Sequence, residues 1–124
     1  MDRVGSHTTR SLIADCLGAD AEIIGPGYRL RGHRAVEAEV ARFLKNEPGV
    51  RLALTSGFDS HDGWVRFTFE LLDPSDHTVN QGWDLVHLQA DGKIGQVITF
   101  WGSLPPPPEN LPKQLLPPHR EDAR

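Results

Sequence analysis

The stretch from Gln81 to Gly102 constrains this chain more than any other. Two β-rich runs, Gln81 to Leu88 and Ile94 to Trp101, flank Ala90-Asp91-Gly92-Lys93. An Asp-Gly pair between such runs is a strong hairpin signal, because glycine takes the positive φ that tight turns demand. The turn is therefore placed at Asp91-Gly92. Side chains alternate along a strand, so Asp84, Val86 and Leu88 share one face while Trp83, Leu85 and His87 share the other. Both faces carry apolar groups, which predicts that both are covered.

Upstream, Met1 to Thr9 is polar, and Leu12, Ile13, Cys16 and Leu17 then recur at helical spacing until Gly18. This predicts a short helix over Thr9 to Leu17. Ala21 to Ile24 and Tyr28 to Leu30, separated by Gly25-Pro26-Gly27, read as a small hairpin. Val36, Val40, Phe43 and Leu44 fall on one side of a second helix from His33 to Lys45, ended by Pro48-Gly49. Arg51 to Phe58 is predicted as a strand and His61-Asp62-Gly63 as a turn. Trp64 to Leu72 follows as a strand, with Val65, Phe67, Phe69 and Leu71 alternating against Arg66, Thr68 and Glu70. Asp73-Pro74-Ser75-Asp76 has turn chemistry, so the next strand begins near Thr78. Helices gathered before a run of hairpins imply an α+β domain, with helices on one face of an antiparallel meander of four strands. The prolines at 105–108, 112, 117 and 118 exclude helix and sheet interior. The expected division is a helix over 1–18, the α+β unit over 19–103 and an extended or disordered tail over 104–124.

A chain of 124 residues is long enough for one core and too short for two. Its net charge of −4, with no run of Lys and Arg, argues against a nucleic-acid partner. The single cysteine, Cys16, excludes an intrachain disulfide and a cysteine-based zinc cluster. No apolar run approaches the roughly 20 residues that span a bilayer, and there is no signal peptide, so a cytoplasmic protein without a membrane partner is expected. The histidines stand apart, and none has metal-ligand spacing, so no metal site is expected.

Several short strings, taken in order, carry a resemblance. They are Gly25-Pro26-Gly27, Gly32-His33-Arg34-Ala35-Val36, Phe43 with Pro48-Gly49, Asp62-Gly63-Trp64-Val65, Gly82-Trp83-Asp84, and Asp91-Gly92-Lys93-Ile94 with Phe100. Together they resemble the SnoaL-like branch of the nuclear transport factor two-like superfamily, over roughly Ala19 to Gly102. The resemblance implies a cystatin-like α+β cone, in which a strongly curved antiparallel sheet wraps around helices and encloses an apolar pocket. Such proteins include polyketide cyclases, isomerase-like and dehydratase-like enzymes and many without known chemistry, so the fold does not name a reaction. Two departures stand out. Only Met1 to Leu17 precedes the first β piece, where the family usually has a long closing helix. The last strand reads Ile98-Thr99-Phe100-Trp101, where cyclases often carry a His-Trp-Asp type sequence, so the acid of that motif is missing.

Asp84 is the sharpest catalytic candidate, because a carboxylate on an otherwise apolar strand face is costly to bury without a partner or a role. Desolvation would raise its pKa and suit it to proton transfer. The plain alternative is a structural aspartate bonded to a neighbouring Arg, Trp or backbone group. Tyr28 could donate to a carbonyl oxygen as an oxyanion stabiliser, or simply pack at the rim. Trp101 and Trp83 could stack on a flat ligand and Phe69 could line the same cavity, although aromatics at alternating strand positions commonly serve core or interface packing. His33 and His61 could reach the cone mouth as acids near neutral pH, against the commoner outcome of surface histidines.

Two function classes follow. One is a cofactor-free isomerase or cyclase acting on a hydrophobic carbonyl compound, with Asp84 as base and Tyr28 or a Trp N–H orienting the oxygen. The other is a non-catalytic module of the same fold that holds an apolar molecule or mediates dimerisation. A homodimer is expected, with Trp83, Leu85, Ile98 and Phe100 as outer-face contacts.

Overall fold

The structure, a computed structural model, describes residues 2–109, with side chains from Thr9 onward. The elements are α1 (Asp2–Cys16), β1 (Leu17–Gly25), β2 (Tyr28–Arg31), α2 (Gly32–Asn46), β3 (Arg51–Leu54), β4 (Asp59–His61), β5 (Trp64–Leu72), β6 (Thr78–Leu88) and β7 (Ile94–Trp101). The strands form one curved, unclosed sheet in the order β2-β1-β7-β6-β5-β3, with β4 also pairing β5. The α+β class expected from the sequence stands. The expectation of a purely antiparallel sheet does not, because β1 runs parallel to β7, Ile23 opposite Val97 and Ile24 opposite Ile98. A parallel partner is reached through a long crossover, so no local turn signal announces it.

The two Asp-Gly turns differ in kind. Asp62 (φ 52°) and Gly63 (φ 81°) are both left-handed, as a type I′ turn requires, and they join the paired residues His61 and Trp64. At the second turn Gly92 alone is left-handed, with φ 85°. There Gln89 N–H donates to the Lys93 carbonyl at 2.7 Å and Gly92 N–H to the Gln89 carbonyl at 2.9 Å. This is a three-residue loop with a bulge at glycine rather than a two-residue turn. A second irregularity between His87 and Leu88 offsets the extra residue and restores even pairing beyond it.

Helix α1 begins seven residues earlier than the expected Thr9. Its first two turns carry no apolar periodicity for a pattern to detect, and no proline interrupts them. The strand expected over Arg51 to Phe58 is broken. Ser56 leaves the ladder, its Oγ accepting from Thr68 N–H at 2.8 Å, and β3 and β4 pair β5 as separate pieces. Beyond Trp101, Leu104 to Glu109 is exposed and without helix or strand; the rest of the proline-rich tail lies outside the described residues.

The core joins the helices to one edge of the sheet. Ile13, Leu17, Ala21 and Val36 are buried together, with Ile23, Leu30, Val40 and Ile94 packed against them. Register carries this helix-facing side across the sheet: Leu30 is paired with Ile23, Ile23 with Val97, Val97 with Val86 and Val86 with Val65. The helices pack on β1 and β2, while Leu52, Leu54 and Phe58 at the far edge are exposed. The sheet's helix-facing side thus has a filled half and an open half.

Candidate active site

Asp84 lies on the helix-facing side, one row from the Val65–Val86–Val97 ladder and just past the filled half. Its ladder neighbours are Phe67 on β5 and Thr99 on β7. The next row is Phe69, Gly82 and Trp101. Two factors act on Asp84. Burial pushes its carboxyl above the usual aspartate range, and a hydrogen bond from Thr99 Oγ1 to Oδ1, 2.7 Å long, opposes that rise. No salt bridge involves Asp84 among the described residues.

The surroundings are aromatic. Phe69 is 3% exposed and meets the Trp101 ring edge-to-face at 5.4 Å. Phe67 lies 6.4 Å from Phe69, and Phe58 sits edge-on to Phe67 at 5.3 Å. The row forms because Gly82 has no side chain: a Cβ there would stand 2.9 Å from Phe69 Cζ and 3.3 Å from Trp101 Cε3. Trp101 remains 37% exposed, so this floor is open to an apolar ring. A carboxylate with one oxygen held, an aromatic floor and no counter-charge can accept a proton from a weak carbon acid and return it.

A cleft of about 390 Å³ opens between the carboxyl-terminal end of α2, at Phe43 and Asn46, and Leu71, Val79 and Asn80. Leu71 follows Phe67 and Phe69 on the same face of β5, which sets the cleft roughly 13 Å along the strand from Asp84. A second cleft of about 310 Å³ lies at His61, Trp64, Arg66 and Leu85. Neither is lined by Asp84 itself.

The structure brings Asp84, Phe69 and Trp101 together and separates Trp83, His61 and His33 from them. Trp83 pairs with Thr68 and Phe100 on the opposite side of the sheet. His61 is opposite Trp64, also on that outer side, and its Nδ1 meets Asp62 Oδ2 at 3.0 Å. His33 is not at a mouth: its Nε2 donates to the Leu17 carbonyl at 2.8 Å and ties the start of α2 to the start of β1. Tyr28 lies on β2, three strands from Asp84, but its ring reaches back over Gly25 on β1, which leaves the hydroxyl about 10 Å from the Asp84 strand on the same side of the sheet. These corrections share a cause. Alternation states which residues share a face of one strand, but pairing decides where that strand lies.

Thr99, Phe67 and Gly82 belong to the site and sequence reasoning passed over them as site residues. The signal for Thr99 was present, because Asp84 is seven residues before Asp91 and Thr99 seven after Gly92. Even counting from the turn pairs them. Among the described residues no group of His, Cys, Asp and Glu is placed to hold a metal ion, and no helix is long and apolar enough to cross a membrane.

No family model and no curated protein matches the sequence. Solved structures do. A candidate isomerase of the SnoaL-like family from Agrobacterium tumefaciens superposes with a TM-score of 0.75 at 24% identity, covering 79% of this chain and 84% of that one. A candidate SnoaL-like polyketide cyclase from Jannaschia sp. CCS1 gives 0.61 at 16% identity, with 74% and 71% covered. A protein of unknown function with a cystatin-like fold from Xanthomonas campestris gives 0.62 at 22% identity, with 81% of each chain covered. The sheet order, the helix-covered face and these superpositions agree: the chain has the cystatin-like fold shared by SnoaL-like and NTF2-like proteins.

Proposed function

We propose that the protein is a small-molecule isomerase or cyclase that moves a proton on a hydrophobic carbonyl compound, with Asp84 as the general base. The observation that carries this reading is a carboxyl group, half-buried beside Phe67 and Thr99, with its pKa raised by desolvation and no salt bridge to a cation among the described residues. A base of this kind is strengthened where it meets an apolar substrate, and no cofactor is needed to remove a proton beside a carbonyl. Trp101, backed by the buried Phe69, forms the floor for the substrate's apolar body. The Tyr28 ring lies over Gly25, two strands from Asp84 on the same side of the sheet, and its hydroxyl is the donor proposed to orient the substrate oxygen. The convex side, where Trp83 and Phe100 are exposed beside Leu85 and Ile98, forms the contact of a homodimer.

The test is proton exchange. A panel of apolar cyclic ketones in D2O is followed by mass spectrometry for deuterium gained beside the carbonyl. The wild-type protein should accelerate exchange for at least one member and Asp84→Asn should not. Equal exchange by the two proteins would sink the reading. A second reading, a non-catalytic module holding an apolar ligand, draws on Thr99: Asp84 pairs with a hydroxyl where cyclases often carry an acid near this position. Retention of a ligand without exchange would favour it.

A further inference from the structure

We propose that Thr99 is a positioning residue for Asp84: its hydroxyl fixes Oδ1 and leaves Oδ2 as the atom that takes up and returns the proton. The proposal rests on the reading of Asp84 as base and adds the group that aims it.

Both ends of the contact are held by the sheet. Asp84 and Thr99 are direct partners in the β6–β7 ladder, and Thr99 is 8% exposed. Threonine branches at Cβ and has few χ1 choices on a packed strand, so its hydroxyl has little freedom to turn away. The direction of the bond follows from chemistry. An ionised carboxylate only accepts, and a hydroxyl has one proton to give. That proton goes to Oδ1 at 2.7 Å, so Thr99 cannot at the same time donate to a substrate oxygen. Oδ2 has no side-chain hydrogen bond among the described residues and is the oxygen left to react.

Among the described residues Thr99 is the polar side chain hydrogen-bonded to Asp84. Phe67 faces it from β5, Gly82 and Val86 flank it on its own strand, and Val97 and Trp101 lie diagonally on β7. None of these titrates; Tyr28, its ring over Gly25 two strands away, is the titratable side chain that β2 adds to this side of the sheet. On the packed helices, Arg10 is paired with Glu37 and Arg42 with Glu39, and His33 is bonded to Leu17. The Thr99 hydrogen bond favours the ionised form while burial disfavours it. One hydroxyl therefore both orients the carboxylate and restrains how tightly it keeps its proton.

Thr99→Val keeps the shape and removes the donor, whereas Thr99→Ser keeps the donor. The Asp84 carboxyl is titrated by ¹³C NMR in the ligand-free protein, assigned by its loss in Asp84→Asn, and ketone exchange in D2O is measured alongside. In Thr99→Val the half-titration point should rise by about one pH unit, the size one hydrogen bond to a carboxylate carries. The acid limb of the exchange profile should move up with it, and the plateau rate should fall roughly tenfold as the base loses its aim. Thr99→Ser should restore both within about twofold of wild type. If valine leaves titration and rate unchanged while Asp84→Asn abolishes exchange, Thr99 has no such role and the base stands. If serine behaves as valine does, the effect is packing and the proposal falls. If titration moves but exchange survives Asp84→Asn, the base reading fails and takes Thr99's role with it. Should Thr99→Val not fold, Thr99→Ala is measured in its place against the same outcomes.

Discussion

Replacing Asp84 by Asn should stabilise the protein at neutral pH, and the sign follows from the site. Burial is the larger influence on this carboxyl and raises its folded-state pKa above that of the unfolded chain. Between those two values the folded protein binds more protons than the unfolded one, so stability falls as pH rises through that window. Above it the full penalty remains. Asparagine removes the charge yet keeps a carbonyl oxygen that can accept from Thr99, so the 2.7 Å contact survives the substitution. Asp84 is half-buried rather than enclosed, and solvent screening reduces the penalty to on the order of 1 kcal/mol. For a chain of this size that corresponds to a rise in thermal midpoint of about 3 °C.

The assay is thermal unfolding of both proteins by circular dichroism from pH 3 to pH 8. The midpoints should diverge as pH rises and draw together toward pH 3, where aspartate is largely protonated in either state. A midpoint for Asp84→Asn that is lower than wild type at pH 7 would refute the reasoning. It would mean that the ionised carboxylate holds the β6–β7 pair together, and that Asp84 is structural.

Three further outcomes are expected. His33→Ala should lower stability by about 1 kcal/mol in urea unfolding, through loss of the Leu17 contact, while ketone exchange stays at the wild-type rate; a lost rate would return His33 to the site. The pair Trp83→Lys and Phe100→Lys, on the exposed outer face, should convert a dimer to a monomer in sedimentation at micromolar concentration, and a wild-type mass near 13.8 kDa would reject the dimer. Gly82→Ala should cost about 2 kcal/mol in urea unfolding, since its Cβ would stand 2.7 Å from the Phe100 carbonyl oxygen; an unchanged midpoint would show that the strands yield freely.

Much of the site was legible because its signals are local. The Asp91-Gly92 turn, the alternation of β6 and the apolar face of β5 are short-range facts, and together they place Asp84 among hydrocarbon. The parallel pairing of β1 with β7 depends on residues more than seventy apart in the chain, and nothing in either strand specifies it. Where Tyr28 lies relative to Asp84 depends on that pairing, because it is set by the count of intervening strands. Trp83 and His61 show a different gap. Trp83 was correctly separated from Asp84 by parity, yet an aromatic ring fits a ligand site and an outer interface equally well on sequence. His61 depends on the pairing of a three-residue strand, too short to show any alternation.

The Gly-x-Asp string at 82–84 combines two needs in adjacent rows. Without a side chain at 82, Phe69 and Trp101 meet across β6 at 5.4 Å, and those rings stand diagonally beside Asp84, within reach of a residue two positions along the ladder. The glycine therefore contributes to the desolvation of the aspartate without touching it. A Cβ at 82 would push against Phe69 and Trp101, part the rings and admit water to the row beside them. In Gly82→Ala the Asp84 carboxyl should then titrate closer to the ordinary aspartate range than in the wild type, in the opposite sense to Thr99→Val. Should ¹³C titration place it unchanged while the aromatic contacts are visibly lost, the burial of Asp84 arises from Phe67 and the valine ladder instead. In that case the glycine serves only the packing of the strands.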